Sequence, residues 1–259
     1  MNSAGCASTV LATLAFLGGS TPVLASDAAT AFDRPGIAFS PSTLPKSGFA
    51  WEQGLPDFQQ SSDGGATATT YAANTRLRYG ISERWEIQLS IPWLEQVVSR
   101  GGRQVARSSG IGDVSVAFKV NMTPAAQLLN VAMLGAVTFP TASGDLGLDN
   151  EEYSLGTTLG WSFSDEQSVA LYANVDILDG QAQWTLSPNW SFAISHMVGG
   201  YVEAGFQPAT HGVRANEIAG GGVTWMVRPT MQLDAYILAG LTDASPDLLA
   251  GCGVSVFVP

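Results

Sequence analysis

Of 259 residues, 46% are hydrophobic and only 13% charged, with 29 glycines, 7 tryptophans and a formal net charge of −11. Ordinary globular domains carry about 25% charged residues, so this chain is short of the groups that solvate a water-facing surface, and its 11 Lys and Arg residues are too few and too scattered for nucleic acid. Beyond the N-terminus no apolar run reaches the roughly 18 residues of a spanning helix; the best, Leu128 to Phe139, is interrupted by Asn130.

Residues 1–25 read as a secretory signal, with an apolar core from Val10 to Leu17 and Val23-Leu24-Ala25 before a cut at Ser26. The usual basic n-region is missing, the first basic residue being Arg34, as a start site placed too far downstream would explain. Cys6 precedes the apolar core, so no lipoprotein cleavage site is expected; Cys252 is then the one cysteine of the mature chain, which rules out an internal disulfide. Ser26 to Lys46 is rich in Pro, Ser and Ala, lacks alternation, and reads as a lead-in.

From Ser47 onward, alternating strands are separated by turn residues. Ser47 to Gly54 ends at Leu55-Pro56; Thr69 to Tyr79 sets Tyr71, Ala73, Leu77 and Tyr79 against Asn74, Arg76 and Arg78; residues 80–83 turn the chain. Arg84 to Trp93 is the clearest strand: Trp85, Ile87, Leu89, Ile91 and Trp93 occupy one face, Arg84, Glu86, Gln88, Ser90 and Pro92 the other. About eight residues at ~3.3 Å, tilted ~40°, span about 20 Å, near the height of the apolar band of a lipid-facing barrel.

Residues 95–109 read as a longer loop carrying Arg100, Arg103 and Arg107. Ile111 to Asn121 points Val114, Val116, Phe118 and Val120 outward and Asp113, Ser115 and Lys119 inward. After Thr123-Pro124, Leu128 to Phe139 returns to a loop at 140–151 containing Gly144-Asp145; Tyr153 to Phe163 and Ser168 to Leu178 follow. The stretch 181–198 is either two strands split at Ser187-Pro188-Asn189 or one strand kinked at Pro188. One strand is preferred, because it aligns Trp184, Leu186, Trp190, Phe192 and Ile194 and gathers every short turn at one end. Tyr201 to Gln207, Ile218 to Val227, Met231 to Gly240 and Leu249 to Val258 complete the set.

The total is an all-β chain: a twelve-stranded antiparallel transmembrane β-barrel of outer-membrane type over residues 47–259, with 26–46 a periplasmic lead-in that can fold into the barrel mouth. Closure removes strand edges, and lipid requires every backbone group to be paired. A soluble sandwich or lipocalin-like binder would also alternate and stands as an alternative fold.

The chain also resembles a family of Gram-negative outer-membrane barrels named for the MetA pathway of phenol degradation. The resemblance runs from Phe39-Ser40-Pro41 and Leu44-Pro45-Lys46-Ser47-Gly48 through Trp51-Glu52-Gln53-Gly54, Leu77-Arg78-Tyr79-Gly80-Ile81, Trp85-Glu86 and Gly110-Ile111-Gly112-Asp113. It continues in Tyr201-Val202-Glu203, Gln232-Leu233-Asp234, Gly240-Leu241-Thr242 and Ser245-Pro246-Asp247. It implies a passive outer-membrane channel for small solutes, aromatic or hydrophobic ones among them, exported by its signal. The last strand, Gly253-x-x-Val256-x-Val258, resembles the signal read by the barrel-assembly machinery, although its aromatic is displaced to Phe257 and Pro259 follows.

Inward positions carry Arg76, Arg78, Arg84, Glu86, Asp113, Lys119, Asp176, Glu203 and Asp234. Opposed charges across a twelve-stranded lumen either satisfy one another and plug the pore, the plainer reading, or form a selectivity ring. A plugged, structural barrel is therefore the alternative to a channel. Inward glycines (Gly156, Gly160, Gly220, Gly222, Gly251, Gly253) favour some cavity. Tyr71, Tyr79, Trp85, Trp93, Trp161, Trp184, Trp190 and Trp225 fit membrane-interface girdles better than an aromatic ligand box. No nucleophile-and-base pair, phosphate loop or Cys/His metal cluster is present, and His196 and His211 fall near strand ends or loops, so no enzyme, cofactor or metal is expected.

Overall fold

The computed structural model describes residues 31–123, 128–142, 146–210 and 213–259; the signal segment, Gly144-Asp145 and His211 lie outside them. The strand segments are β1 (Phe49–Gly54), β2 (Asp57–Asp63), β3 (Ala66–Ser82), β4 (Trp85–Arg100), β5 (Arg103–Ile111), β6 (Val114–Asn121) and β7 (Leu129–Phe139). They continue as β8 (Glu152–Ser162), β9 (Gln167–Leu178), β10 (Gln181–Ala193), β11 (Val198–Gln207), β12 (Asn216–Arg228), β13 (Met231–Gly240) and β14 (Leu248–Val258). Every pairing is antiparallel, and β14 closes on β1 from Phe49↔Val258 to Gly54↔Gly253. Two staves are broken: β1 and β2 both run between β14 and β3, while β5 and β6 both pair with β4. The fourteen segments thus make a closed barrel of twelve staves.

The breaks have local causes. Pro56 has no N–H to give the ladder, and Leu55 N–H instead reaches Cys252 O at 2.9 Å. At the second, Gly112 N–H donates to Pro92 O at 2.8 Å before the chain resumes as β6. β10 runs as one strand through Pro188, in constant register against β9 from Gln181↔Leu178 to Phe192↔Gln167. On the β11 side the ladder skips Ser187 and Pro188, as a residue without a donor requires.

The expected loop at 95–109 is instead a hairpin: β4 continues to Arg100, Gly101-Gly102 turn, and β5 runs back. Both glycines have positive φ (57° and 76°), the type I′ geometry that matches strand twist. Gly64-Gly65 joins β2 to β3 in the same way (55° and 77°), so the first stave continues past Leu55-Pro56. These extensions stand beyond the Trp93 level, where water meets both faces and polar residues on both sides erase the alternation.

Below that level the outward face is apolar apart from a few polar positions such as Thr157 and the pair Gln53 and Thr75, which bond each other at 2.6 Å. Ile87 is 38% and Val116 39% exposed, whereas Glu86 and Lys119 are fully buried inside. Tyr79, Trp85, Trp161, Trp190 and Trp225 ring the short-turn end on the outer surface, while Trp93 and Trp184, joined by Phe139, Tyr153 and Phe206, ring the other. Tyr71 sits just beyond the upper ring, its cross-strand partner being Glu95, and packs on Phe58 with ring centroids 5.6 Å apart.

Candidate functional site

Residues 31–44, part of the 26–46 stretch expected as a periplasmic lead-in that can fold into the barrel mouth, lie inside the barrel, and Pro45, Lys46 and Ser47 are exposed where the segment leaves it. Pro35, Pro41 and Pro45 deny this segment a strand ladder or a helix, so its backbone N–H groups must find other acceptors in a buried setting. Lumen carboxylates supply them. Glu52 accepts from Asp33 N and Arg34 N (2.9 Å each), Glu203 from Ile37 N (2.9 Å) and Glu86 from Leu44 N (2.7 Å).

The segment makes a circuit of the inner wall, and we call it the belt. Arg34 lies against Asp57 and Asp234 on β2 and β13; Ile37 packs by Gly205 and Ile218 on β11 and β12. Phe39 covers Gly156 on β8, Pro41 covers Gly160, and Pro45 meets Gly80 on β3 before the chain enters β1. The inward glycines that promised a cavity are therefore occupied: at Gly253 the belt's Arg34 fills the space, at Gly251 Asp57 and Tyr236 do. At Gly80 a Cβ would overlap the Pro45 carbonyl, so only glycine lets the belt backbone lie this close.

A buried ion network fastens one side of the belt. Asp33 Oδ1 is 2.8 Å from Lys119 Nζ, and its Oδ2 accepts from Gln88 Nε2 at 2.8 Å and faces Arg78 Nε at 3.5 Å. Arg78 also pairs with Glu52 (2.8 Å) and Glu86 (2.9 Å) and donates to Ala31 O (3.1 Å). Buried charge is tolerable only when paired and hydrogen-bonded, and here every carboxylate meets a cation. Burial opposes ionisation of Asp33, but Arg78, Lys119 and Arg76 outweigh it and hold its carboxyl at about 2. A second pair of contacts, Arg34 to Asp57 and to Asp234 (3.2 Å each), holds the next residue. Phe39 spans the centre, edge-on to Tyr172 at 5.6 Å with Lys119 Nζ 5.4 Å from its ring centroid.

Of the charged residues read as inward, Arg78, Glu86, Lys119, Glu203 and Asp234 meet the belt directly. Arg76 faces inward beside them, with Nε 3.4 Å from Ser90 Oγ. Asp176 lies nearer the β9–β10 hairpin, accepting from Asn174 Nδ2 at 2.8 Å. Arg84 is corrected: it sits exposed in the β3–β4 turn, because its strand begins one residue later. Asp113 is corrected too. It occupies the β5–β6 break and accepts N–H groups of Thr141, Ala142 and Leu148 (2.8, 2.8 and 2.6 Å), fastening a loop rather than lining the pore. Sequence reasoning missed Asp33, Arg34, Glu52 and Asp57, and set Gln88 on the polar face without giving it a role. Glu52 was within reach, since it alternates with Trp51 in β1; the belt residues carry no periodic signal.

The architecture matches solved outer-membrane barrels. Over 87% of this chain and 99% of that one, it superposes on the COG4313 outer membrane channel from Pseudomonas putida F1 with a TM-score of 0.68 at 12% identity. A KdgM porin follows, with a TM-score of 0.54 at 9% identity over 81% of this chain and 98% of that one, and a NanC porin with 0.50 at 9% over 82% and 100%. At such identities the likeness is one of fold. No curated protein matches the chain. Residues 32–257, from the belt to the closing strand, match one family model across their whole length, and the chain accordingly belongs to the family described as "Putative MetA-pathway of phenol degradation".

Proposed function

We propose that the protein is a passive channel for small solutes in the outer membrane of a Gram-negative cell, reached after signal-directed export and inserted through its C-terminal strand. The observation that carries this reading is what closes the lumen. A barrel sealed by its own core would bury large apolar side chains from every stave. Here β9 and β10 present Asn174, Asp176, Gln183, Thr185, Ser187, Asn189 and Ser191 inward, and the obstruction is a separate segment of chain. Such a segment can move without breaking the ladder. Inward Leu134, Ala136, Ile218, Leu238 and Leu249 give part of the wall an apolar lining, which suits aromatic or hydrophobic solutes.

The seated belt also supports a second reading, a closed barrel with a structural role. Swelling of liposomes containing the purified barrel separates the two. Uptake of glycerol- and phenol-sized solutes is expected; liposomes that swell no faster than protein-free ones would leave only the structural role.

A further inference from the structure

The belt is held unevenly. Toward β1, β3, β4 and β6 it is tied by the ions around Asp33, and toward β2 and β13 by Arg34. Among the described residues no hydrogen bond joins it to β8, β9 or β10; it rests there through Phe39 on Tyr172 and Pro41 on Gly160. Along the same arc lie buried polar atoms that find no partner: Thr158 Oγ1 on β8, Asn174 Oδ1 on β9 and Ser187 Oγ on β10, with Tyr201 OH, Glu203 Oε1 and Asn216 Oδ1 continuing on β11 and β12. Among the described residues, Gln88 Oε1 and Ser255 Oγ alone share that condition elsewhere.

These groups form a contiguous track. Thr158 and Ser187 are both cross-strand partners of Tyr172. Above Gly156, the Asn174 amide oxygen, the Tyr172 ring and the Phe39 ring edge all lie 3.0–3.1 Å from where a Cβ would stand. Burying an unpaired hydroxyl or amide costs about 1–3 kcal/mol, so parting belt from wall here releases strain, whereas parting it at Asp33 creates it.

We propose that solutes cross along the β8–β10 wall, in the seam between that wall and residues 37–41, with Thr158, Asn174 and Ser187 as successive hydrogen-bonding rungs for small neutral hydroxyl-bearing compounds. The belt stays anchored at Asp33 while its far side lifts. This rests on the channel reading and adds which wall conducts and what it binds.

The test uses the chain from Ser26 onward, which lacks Cys6, with Cys252, whose thiol is exposed on the outer surface, replaced by alanine. Single cysteines are placed at Ser187, at Thr158 and, away from that wall on β4, at Ser90; each barrel is checked for heat-modifiable migration and recorded in planar bilayers. A water-soluble, positively charged methanethiosulfonate is expected to cut the current through S187C and T158C at least twofold and to leave S90C unchanged. Block at S90C alone, block at all three, or block at none would overturn the seam. Absence of current from the unmodified parent would instead sink the channel reading itself. As a second measure, T158V/S187A should slow glycerol entry into liposomes about three- to tenfold, the effect of losing one or two hydrogen bonds, with S90A unaffected; equal rates would also overturn it.

Discussion

Replacing Asp33 by alanine probes the belt where it is held most firmly. The carboxylate lies 2.8 Å from Lys119 Nζ and accepts from Gln88 Nε2 and Ser40 N at 2.8 and 3.0 Å, and neither charged side chain reaches solvent. Removing one member of a buried ion pair costs about 3–5 kcal/mol, because the other is stranded. Lys119 retains Glu86 at 3.8 Å, which puts the loss near the lower end, about 3 kcal/mol. At 1.4 kcal/mol per factor of ten, that shifts the ratio of seated to released belt by about a hundredfold. No strand pairing involves Asp33, so the barrel should migrate normally on unheated gels and the whole effect should appear as gating. Planar-bilayer recordings of Asp33→Ala should show an open fraction about two orders of magnitude above the parent's until it saturates. Asp33→Ala/Lys119→Met, which removes both charges, should recover part of the closure. A folded Asp33→Ala barrel that opens no more often than the parent would refute the reasoning.

Three further outcomes follow from the geometry. The folded-state pKa of Asp33, about 2, lies below its ordinary 3.8, so its contribution to seating is full above about pH 4 and is lost as pH falls toward 2; the ratio of the Asp33→Ala open fraction to the parent's should be constant from pH 8 to 4, and convergence of the two between pH 6 and 5 would contradict this. Gly80→Ala places a methyl on the Pro45 carbonyl, an overpacking worth about 1–3 kcal/mol, and should raise the open fraction while barely moving the barrel's urea-unfolding midpoint. Leu89→Arg puts a charge on the lipid face between Ile87 and Ile91 and should destabilise the barrel by about 2–4 kcal/mol in lipid-bound urea titrations; an unchanged midpoint would mean this face does not meet lipid.

The barrel wall was legible because lipid imposes a rule on every stave: Trp85, Ile87 and Leu89 must look outward, and Glu86 and Gln88 are left to look in. That rule lapses where lipid ends. The β4–β5 hairpin, wet on both sides, reads as a loop, although Gly101-Gly102 between two extended runs was a hairpin signal in plain view. Pro188 could be kept inside one strand because splitting there would have put long and short turns at the wrong ends, and the unbroken β9–β10 register agrees. The lumen charges were legible as a set but not in their roles. Glu86, Glu203 and Glu52 serve belt N–H groups as well as cations. The belt was legible only as a lead-in able to fold into the barrel mouth, not in where it seats. Its contacts reach residues up to 200 positions away, as from Arg34 to Asp234, and its prolines remove the periodicity from which a strand or helix could be read. Asp113 misled because a polar residue between alternating apolar ones reads as inward, when the strand is in fact broken there.

The most direct measurement compares single-channel conductance of the full chain with that of a chain in which residues 31–44 are replaced by a short glycine-serine linker, both reconstituted in planar bilayers. If the belt is what closes an otherwise hydrated twelve-stave lumen, the replaced chain should insert as a heat-modifiable barrel and pass a steady current several times the parent's. A folded barrel that lacks the belt and still carries no more current than the parent would contradict it.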